Sequence, residues 1–232
     1  MKTKTLVKKL NLSDEALERV KGAIKSAEEK TSGEIVLAVS AESSDYSFWE
    51  LFAAMIASLA AAVCAIPFAG KIKAFEEARN WSVSDWTVPA IYVFGSFFLA
   101  LFLFVLINAI VPLDRFVIPK SYKNKMVSDR AMRAFSECLV FDTRARTGVL
   151  IFISYLEKQV RILPDEGIAQ KIGPDLWRLI AVGLAEEIGK NNVEAAFCEA
   201  VEKCGELLAQ CFPADKKDNP DELDNGVVIL ER

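Results

Sequence analysis

Oxygen-bearing side chains crowd a short segment near the C terminus of the chain. The segment contains Asp218, Asn219, Asp221, Glu222, Asp224 and Asn225. Hard divalent cations such as Ca²⁺ and Mg²⁺ take carboxylate and amide oxygens as ligands. The segment is not an EF-hand loop, because Gly226 is not at the sixth position and no glutamate stands at the twelfth. Two interpretations stay open here, a cation site and a solvated turn before a final strand.

A second set of candidates surrounds a predicted β-hairpin. Asp165 and Glu166 follow the hairpin in the segment PDEGI, and acids at strand ends can bind a metal ion or a phosphoryl group. Arg144 and Arg146 precede the hairpin. A guanidinium can hold a phosphate in a bidentate fork, but it equally pairs with an acid such as Glu34 and fixes the strand entrance. Asp165 is the preferred metal ligand of this set, and Glu34 and Arg144 are candidates for another role in the site.

Other chemistries are missing from the sequence. It contains no histidine, which removes the commonest general base, the usual catalytic triads and most zinc sites. The phosphate-loop, dinucleotide, nucleophile-elbow and HExxH patterns do not occur. Five cysteines without CxxC spacing indicate free thiols in a reducing compartment, with a zinc or redox site as the alternative. The net charge of -4 provides no basic field, so no nucleic-acid partner is expected.

Two long apolar segments interrupt the polar parts of the chain. The first predicted span covers about residues 48–69 and contains one charge, Glu50, near its beginning. The second covers about residues 86–111 and contains no charge. At a rise of about 1.5 Å per residue, each segment is long enough to cross the hydrocarbon core of a bilayer. The sequence therefore predicts a transmembrane hairpin over residues 45–113, with the lipid bilayer as a partner.

The flanking charges predict the orientation of this hairpin. The connection between the spans carries equal numbers of basic and acidic residues, whereas the segment after the second span is basic. Both flanks of a hairpin lie on the same side of the membrane, and basic flanks stay in the cytoplasm. We therefore expect a two-span protein of the cell inner membrane with its soluble part in the cytoplasm.

The remaining segments, 1–44 and 114–232, predict one soluble domain split by the hairpin. Its elements are a helix from Ser13 to about Lys30, a strand over Glu34–Ser40, a helix over about Ser121–Cys138, strands over Gly148–Tyr155 and Gln159–Leu163, a turn at PDEGI, helices over Pro174–Gly189 and Val193–Cys211, and a final strand within Gly226–Leu230. Helices and strands in this order indicate an α/β or α+β sandwich.

The order of these segments resembles a known family. "TSGEIVLAVS", "TRARTGVLIFISYLEKQVRILPDEGI", "GPDLW" and "DNPDELDNGVVIL" follow one another as they do in the TPM domain, formerly a domain of unknown function. That domain is found in bacterial membrane proteins, in a thylakoid-lumen protein of photosystem II repair and in a nematode receptor-associated protein. The resemblance covers residues 11–42 and 120–230 and fits a membrane-embedded bacterial branch.

The resemblance implies an α/β/α sandwich around a small mixed sheet. It also implies that some relatives bind divalent metal or hydrolyse phosphate esters. We therefore expect a membrane-anchored module that binds a protein partner or a divalent ion, Ca²⁺ or Mg²⁺, at Asp165 and the acidic tail. The alternative is a metal-dependent phosphatase of low specificity, and the sequence identifies no catalytic residue for it.

Overall fold

The structure is a computed structural model and describes residues 6, 7, 9, 10, 12–79, 86–109, 117–143, 145–214, 223 and 225–230. The chain divides into two compact units. The α/β unit comprises Met1–Ser44 and Ser121–Arg232, and the helical unit comprises Asp45–Lys120. The fold class is mixed α/β, as the sequence predicts.

The α/β unit is built on a four-stranded sheet with helices on both faces. Its elements are α1 (Asp14–Glu28), β1 (Glu34–Ser40), α5 (Lys120–Glu137), β2 (Gly148–Ser154), β3 (Gln159–Pro164), α6 (Glu166–Ala169), α7 (Pro174–Gly189), α8 (Val193–Cys211) and β4 (Val227–Leu230). The strand order is β3-β2-β1-β4. Strands β2 and β4 pair parallel to β1, and β3 pairs antiparallel to β2. The sheet is therefore mixed.

The two central strands are buried on both faces, which explains their continuous apolar sequences. Every residue of β1 and of β2 is buried. Alternate side chains of a strand leave opposite faces, so Ile35 and Leu37 join the core under α1, α7 and α8. Val36 and Ala38 join a smaller core under α5. Helices therefore cover the sheet as an α/β/α arrangement.

The helix starts follow local capping chemistry. Ser13 caps α1, because its hydroxyl accepts a hydrogen bond from the Ala16 amide at 3.1 Å. Pro174 occupies the first turn of α7, where its missing amide hydrogen costs no helical bond. The prediction of a simple turn at PDEGI was wrong. Asp165 is instead the N-cap of the short helix α6, with its carboxylate accepting from the Glu166 amide at 2.7 Å.

The helical unit contains two helices long and apolar enough to span a membrane. They cover Ser47–Ala78 and Thr87–Ala109. The first consists of α2 (Ser47–Ala65), a 3₁₀ turn (Ile66–Phe68) and α3 (Ala69–Arg79), and the second is α4. The two helices pack against each other within the unit.

The first long helix is interrupted at Pro67 and continues beyond the predicted span. The helix changes to a 3₁₀ turn at Pro67, because proline has no amide hydrogen to continue the α-helical bonding. The polar segment after it was predicted to be a connection, but α3 extends through it to Arg79. Between Lys71 and Arg79 the sequence is mostly Lys, Ala, Glu and Arg, which have high helix propensity and therefore favour continuation.

Candidate functional site

Two carboxylates lie in one row at the edge of the sheet where β1 and β2 begin, which we call the amino edge. Glu34 is in register with Gly148 across β1 and β2. On the other side of β2, the Asp165 amide donates to the Gly148 carbonyl at 2.8 Å. Neighbouring strands are about 4.8 Å apart, so the two acidic residues lie about 10 Å apart at their Cα atoms. The register places Glu34, Gly148 and Asp165 on the same face of the sheet.

Asp165 is buried to a degree unusual for a carboxylate. Its side chain caps α6 through one oxygen, and the residue is only 7% exposed. The other oxygen, Oδ2, is buried and has no hydrogen-bond partner among the residues that the structure describes. A buried carboxylate oxygen without a partner costs free energy, so a ligand that binds it would recover that cost.

The missing side chain of Gly148 leaves space between the two acids, and a backbone oxygen occupies it. A Cβ atom added to Gly148 would lie 2.2 Å from the carbonyl oxygen of Val140. Glu34, on the opposite side of the row, is 5% exposed. The row thus combines two buried carboxylates with a carbonyl oxygen, and all three are donor types that Ca²⁺ and Mg²⁺ accept.

The described residues alone do not form a complete metal site. Within them, no group of three or more histidine, cysteine, aspartate or glutamate side chains is close enough to hold a metal ion. A Ca²⁺ or Mg²⁺ ion here would need further oxygen ligands, since these ions take six or more. The chemistry of Asp165 and Glu34 fits a hard cation as part of its ligand set.

The predicted ligands of the acidic tail lie outside the described residues. These are Asp218, Asp221, Glu222 and Asp224, and Arg144 also lies outside them. The described residues on either side of the tail lead to the amino edge. The Ala214 amide donates to the Lys30 carbonyl, shortly before β1. Asn225 is buried, two residues before Val227, where β4 begins parallel to β1. Ala214 and Asn225, the described residues that flank the tail, therefore both lie toward the amino edge.

A polar cluster at the opposite edge, where β1 and β2 end, was not predicted. The Ser43 hydroxyl lies 2.7 Å from the Ser154 hydroxyl, which donates to the Glu157 carboxylate at 2.5 Å. The second Glu157 oxygen accepts from the Ser43 amide at 2.8 Å. All three residues are buried, and their hydrogen bonds connect the segment after β1 to the β2–β3 turn. The sequence gives no signal for it, because the register of the strands brings the residues together.

Two cysteines of the α/β unit, Cys198 and Cys204, are poor candidates for catalysis. All five cysteines of the chain are free. Burial raises the pKa of the Cys204 thiol to about 12. Burial, and then the nearby Glu194 carboxylate, also raises the pKa of Cys198. A nucleophilic cysteine needs a lowered pKa, so these two thiols stay protonated at neutral pH.

Comparisons with known proteins give information on the fold alone. No protein-family model matches the chain, and no curated protein matches it. Among solved structures, the chain is similar to the NMR structure of BA42 protein from the psychrophilic bacterium Bizionia argentinensis. The TM-score is 0.53 at 21% sequence identity, and the match covers 94% of each chain. Likeness at this identity concerns the fold alone.

Proposed function

We propose that the protein is a membrane-anchored α/β domain whose amino edge binds a divalent cation or a protein partner. The anchor is the helical unit, inserted as a two-span hairpin. One observation carries this proposal. Bulky apolar side chains stay exposed along both long helices, with Leu59 and Phe102 64–65% exposed. Exposed apolar surface of this extent is costly in water and favourable in a hydrocarbon core.

Polar groups inside the helical unit support the same proposal. At the 3₁₀ turn the Ala69 amide donates to the Ile66 carbonyl instead of to the Ala65 carbonyl. The Tyr92 hydroxyl from the neighbouring helix donates to that carbonyl at 2.5 Å. The Asn108 amide donates to the Glu50 carboxylate at 3.0 Å. Backbone and polar groups in a bilayer need partners within the protein.

The orientation that we propose places the α/β domain in the cytoplasm and the connection between the spans outside. It rests on the basic excess after the second span and on the free thiols. Single cysteines at Glu76 and Lys216, in a chain whose native cysteines are replaced, would be labelled in intact cells with a membrane-impermeant reagent. We expect labelling at Glu76 only. Labelling of the cysteine at position 216 in intact cells would contradict the orientation.

We also propose that the α/β domain is a TPM domain. The four quoted sequence segments support this assignment, and the layered mixed sheet agrees with the expected architecture. Under this proposal Asp165, Glu34 and the tail acids bind Ca²⁺ or Mg²⁺. The supporting observation is the buried Oδ2 of Asp165.

Calorimetric titration of the full chain in detergent with CaCl₂ or MgCl₂ tests the cation. We expect binding that Asp165→Asn weakens at least about tenfold, because one charged ligand is lost. Glu166→Gln, at the exposed next residue, is the matched control and should bind normally. Binding that is unchanged in Asp165→Asn would contradict the site. Hydrolysis of a phosphate ester that is lost in Asp165→Asn would instead favour a metal-dependent phosphatase.

A further inference from the structure

The second edge of the sheet, where β1 and β2 end, carries both connections of the α/β unit to the helical unit. We call it the carboxyl edge. The chain leaves the α/β unit after Ser44. Ser43 is held against Ser154, the last residue of β2. The chain re-enters shortly before Asn124, which accepts a hydrogen bond from Gln159, the first residue of β3, at 2.7 Å. Both connections therefore start from the same edge.

Four basic residues gather at this edge. Lys123 and Lys125 flank Asn124 on the first turns of α5. Lys158 lies in the turn before β3, and the Arg161 guanidinium donates to Gln159 at 3.1 Å, beside the contact with α5. Lys125 and Lys158 are exposed, and neither has an ion-pair partner among the described residues. We call these four residues the basic edge.

Nearby acids only partly offset this charge. Glu42 and Glu157 lie at the same edge, and the Glu157 carboxylate is directed into the buried serine cluster. Arg130, farther along α5, does not belong to the basic edge, because it is buried and paired with Glu137 at 2.9 Å. Exposed Asp129 also lies one helical turn after Lys125 on α5, and the exposed cations of the carboxyl edge are Lys125 and Lys158.

We infer that the basic edge docks on anionic lipid headgroups. This inference rests on the proposed membrane anchor, which keeps the domain close to the bilayer. Lysine and arginine next to a membrane span are attracted to the negative surface of the cytoplasmic leaflet. Docking by the carboxyl edge turns the amino edge, with Asp165, away from the lipid and toward the aqueous phase. The headgroups would thus orient the candidate cation site as well as hold the domain.

Hydrogen exchange of the full chain in nanodiscs tests this inference. One set of nanodiscs contains phosphatidylcholine alone, and the other adds phosphatidylglycerol. We expect the anionic lipid to slow amide exchange in the first turns of α5 and in the turn that contains Lys158. High salt should remove the effect, because it screens surface charges.

Matched variants separate docking from general charge effects. Lys125→Gln with Lys158→Gln should lower the ratio of docked to undocked domain about twenty-five-fold, since each basic residue contributes about fivefold. Lys21→Gln with Lys25→Gln changes two exposed lysines of α1 by the same charge and should leave the effect intact. Both pairs lie at exposed positions, so both variants should fold.

Two results would overturn the inference while leaving the anchor in place. One is equal exchange in neutral and anionic nanodiscs that contain the inserted chain. The other is the same slowing when inorganic phosphate is added to neutral nanodiscs, which would assign the edge to a free anion. Failure of the chain to assemble into nanodiscs would contradict the proposed anchor itself, and this inference with it.

Discussion

Gly148 is the position where one added methyl group should disturb the packing of the candidate site most. It lies between Glu34 and Asp165 in the row of the amino edge. An alanine Cβ here would lie 2.2 Å from the Val140 carbonyl oxygen and 2.6 Å from Val140 Cγ1. The Gly148 backbone is not in the left-handed region, so the need for glycine is one of space.

The size of the effect follows from this overlap. The clash involves backbone atoms of Val140, in the turn that follows α5, so relief requires the backbone to move. Overpacking of a core costs about 1–3 kcal/mol, and we expect Gly148→Ala near the upper value, about 3 kcal/mol. For a domain of this size, each kcal/mol lowers the melting temperature by about 2–4 °C. The predicted loss is therefore about 6–12 °C.

Thermal unfolding of the full chain in detergent measures this loss. Trp177 is buried in the core of the α/β unit, and its fluorescence can report unfolding when the other tryptophans are phenylalanine. Gly22→Ala is the matched control, because nothing lies within 4 Å of its added Cβ on α1. The control should be neutral or more stable by up to about 1 kcal/mol. Equal melting temperatures for the two variants would refute the packing at Gly148.

Three further changes test other parts of the structure. Glu157→Ala should destabilise the α/β unit by about 2–4 kcal/mol in denaturant titration, because it leaves the buried Ser43 and Ser154 donors unsatisfied. A loss of stability under about 1 kcal/mol would contradict that cluster. Tyr92→Phe should cost the helical unit about 1 kcal/mol in detergent denaturation, because the Ala65 carbonyl loses its donor. The Cys204 thiol has a pKa of about 12 in the folded state and near 9 in the unfolded state. Because only the unfolded thiol ionises between pH 9 and 12, the stability of the folded state should fall over that range. Cys204→Ala should remove that part of the alkaline loss, and an unchanged pH profile would contradict it.

The secondary structure could be predicted where the sequence pattern was unambiguous. Strands β1 and β2 are continuous apolar segments, and their burial on both faces agrees with that pattern. Helix α6 was missed because the acids of PDEGI were interpreted as turn residues, whereas Asp165 supplies a capping oxygen. The prediction assigns the charged segment only as a connection between two spans, whereas the residues of α3 favour a helix.

The candidate site could be predicted only in part. Asp165 and Glu34 were chosen as acids near strand ends, but their shared row depends on the register of both with Gly148. Register is fixed by strand pairing across distant parts of the chain, and no local pattern encodes it. For the same reason, the sequence alone does not predict the contact between Asn124 and Gln159, which brings the residues of the basic edge together.

The central claim is that the helical unit anchors the α/β domain in a membrane, and extraction of isolated membranes with alkaline carbonate tests it most directly. Carbonate strips peripheral proteins, whereas a hairpin of two spans stays with the lipid because its apolar surface remains buried there. We predict that the full chain stays in the membrane pellet and is released only by detergent. Recovery of the folded full chain in the carbonate supernatant would contradict the claim.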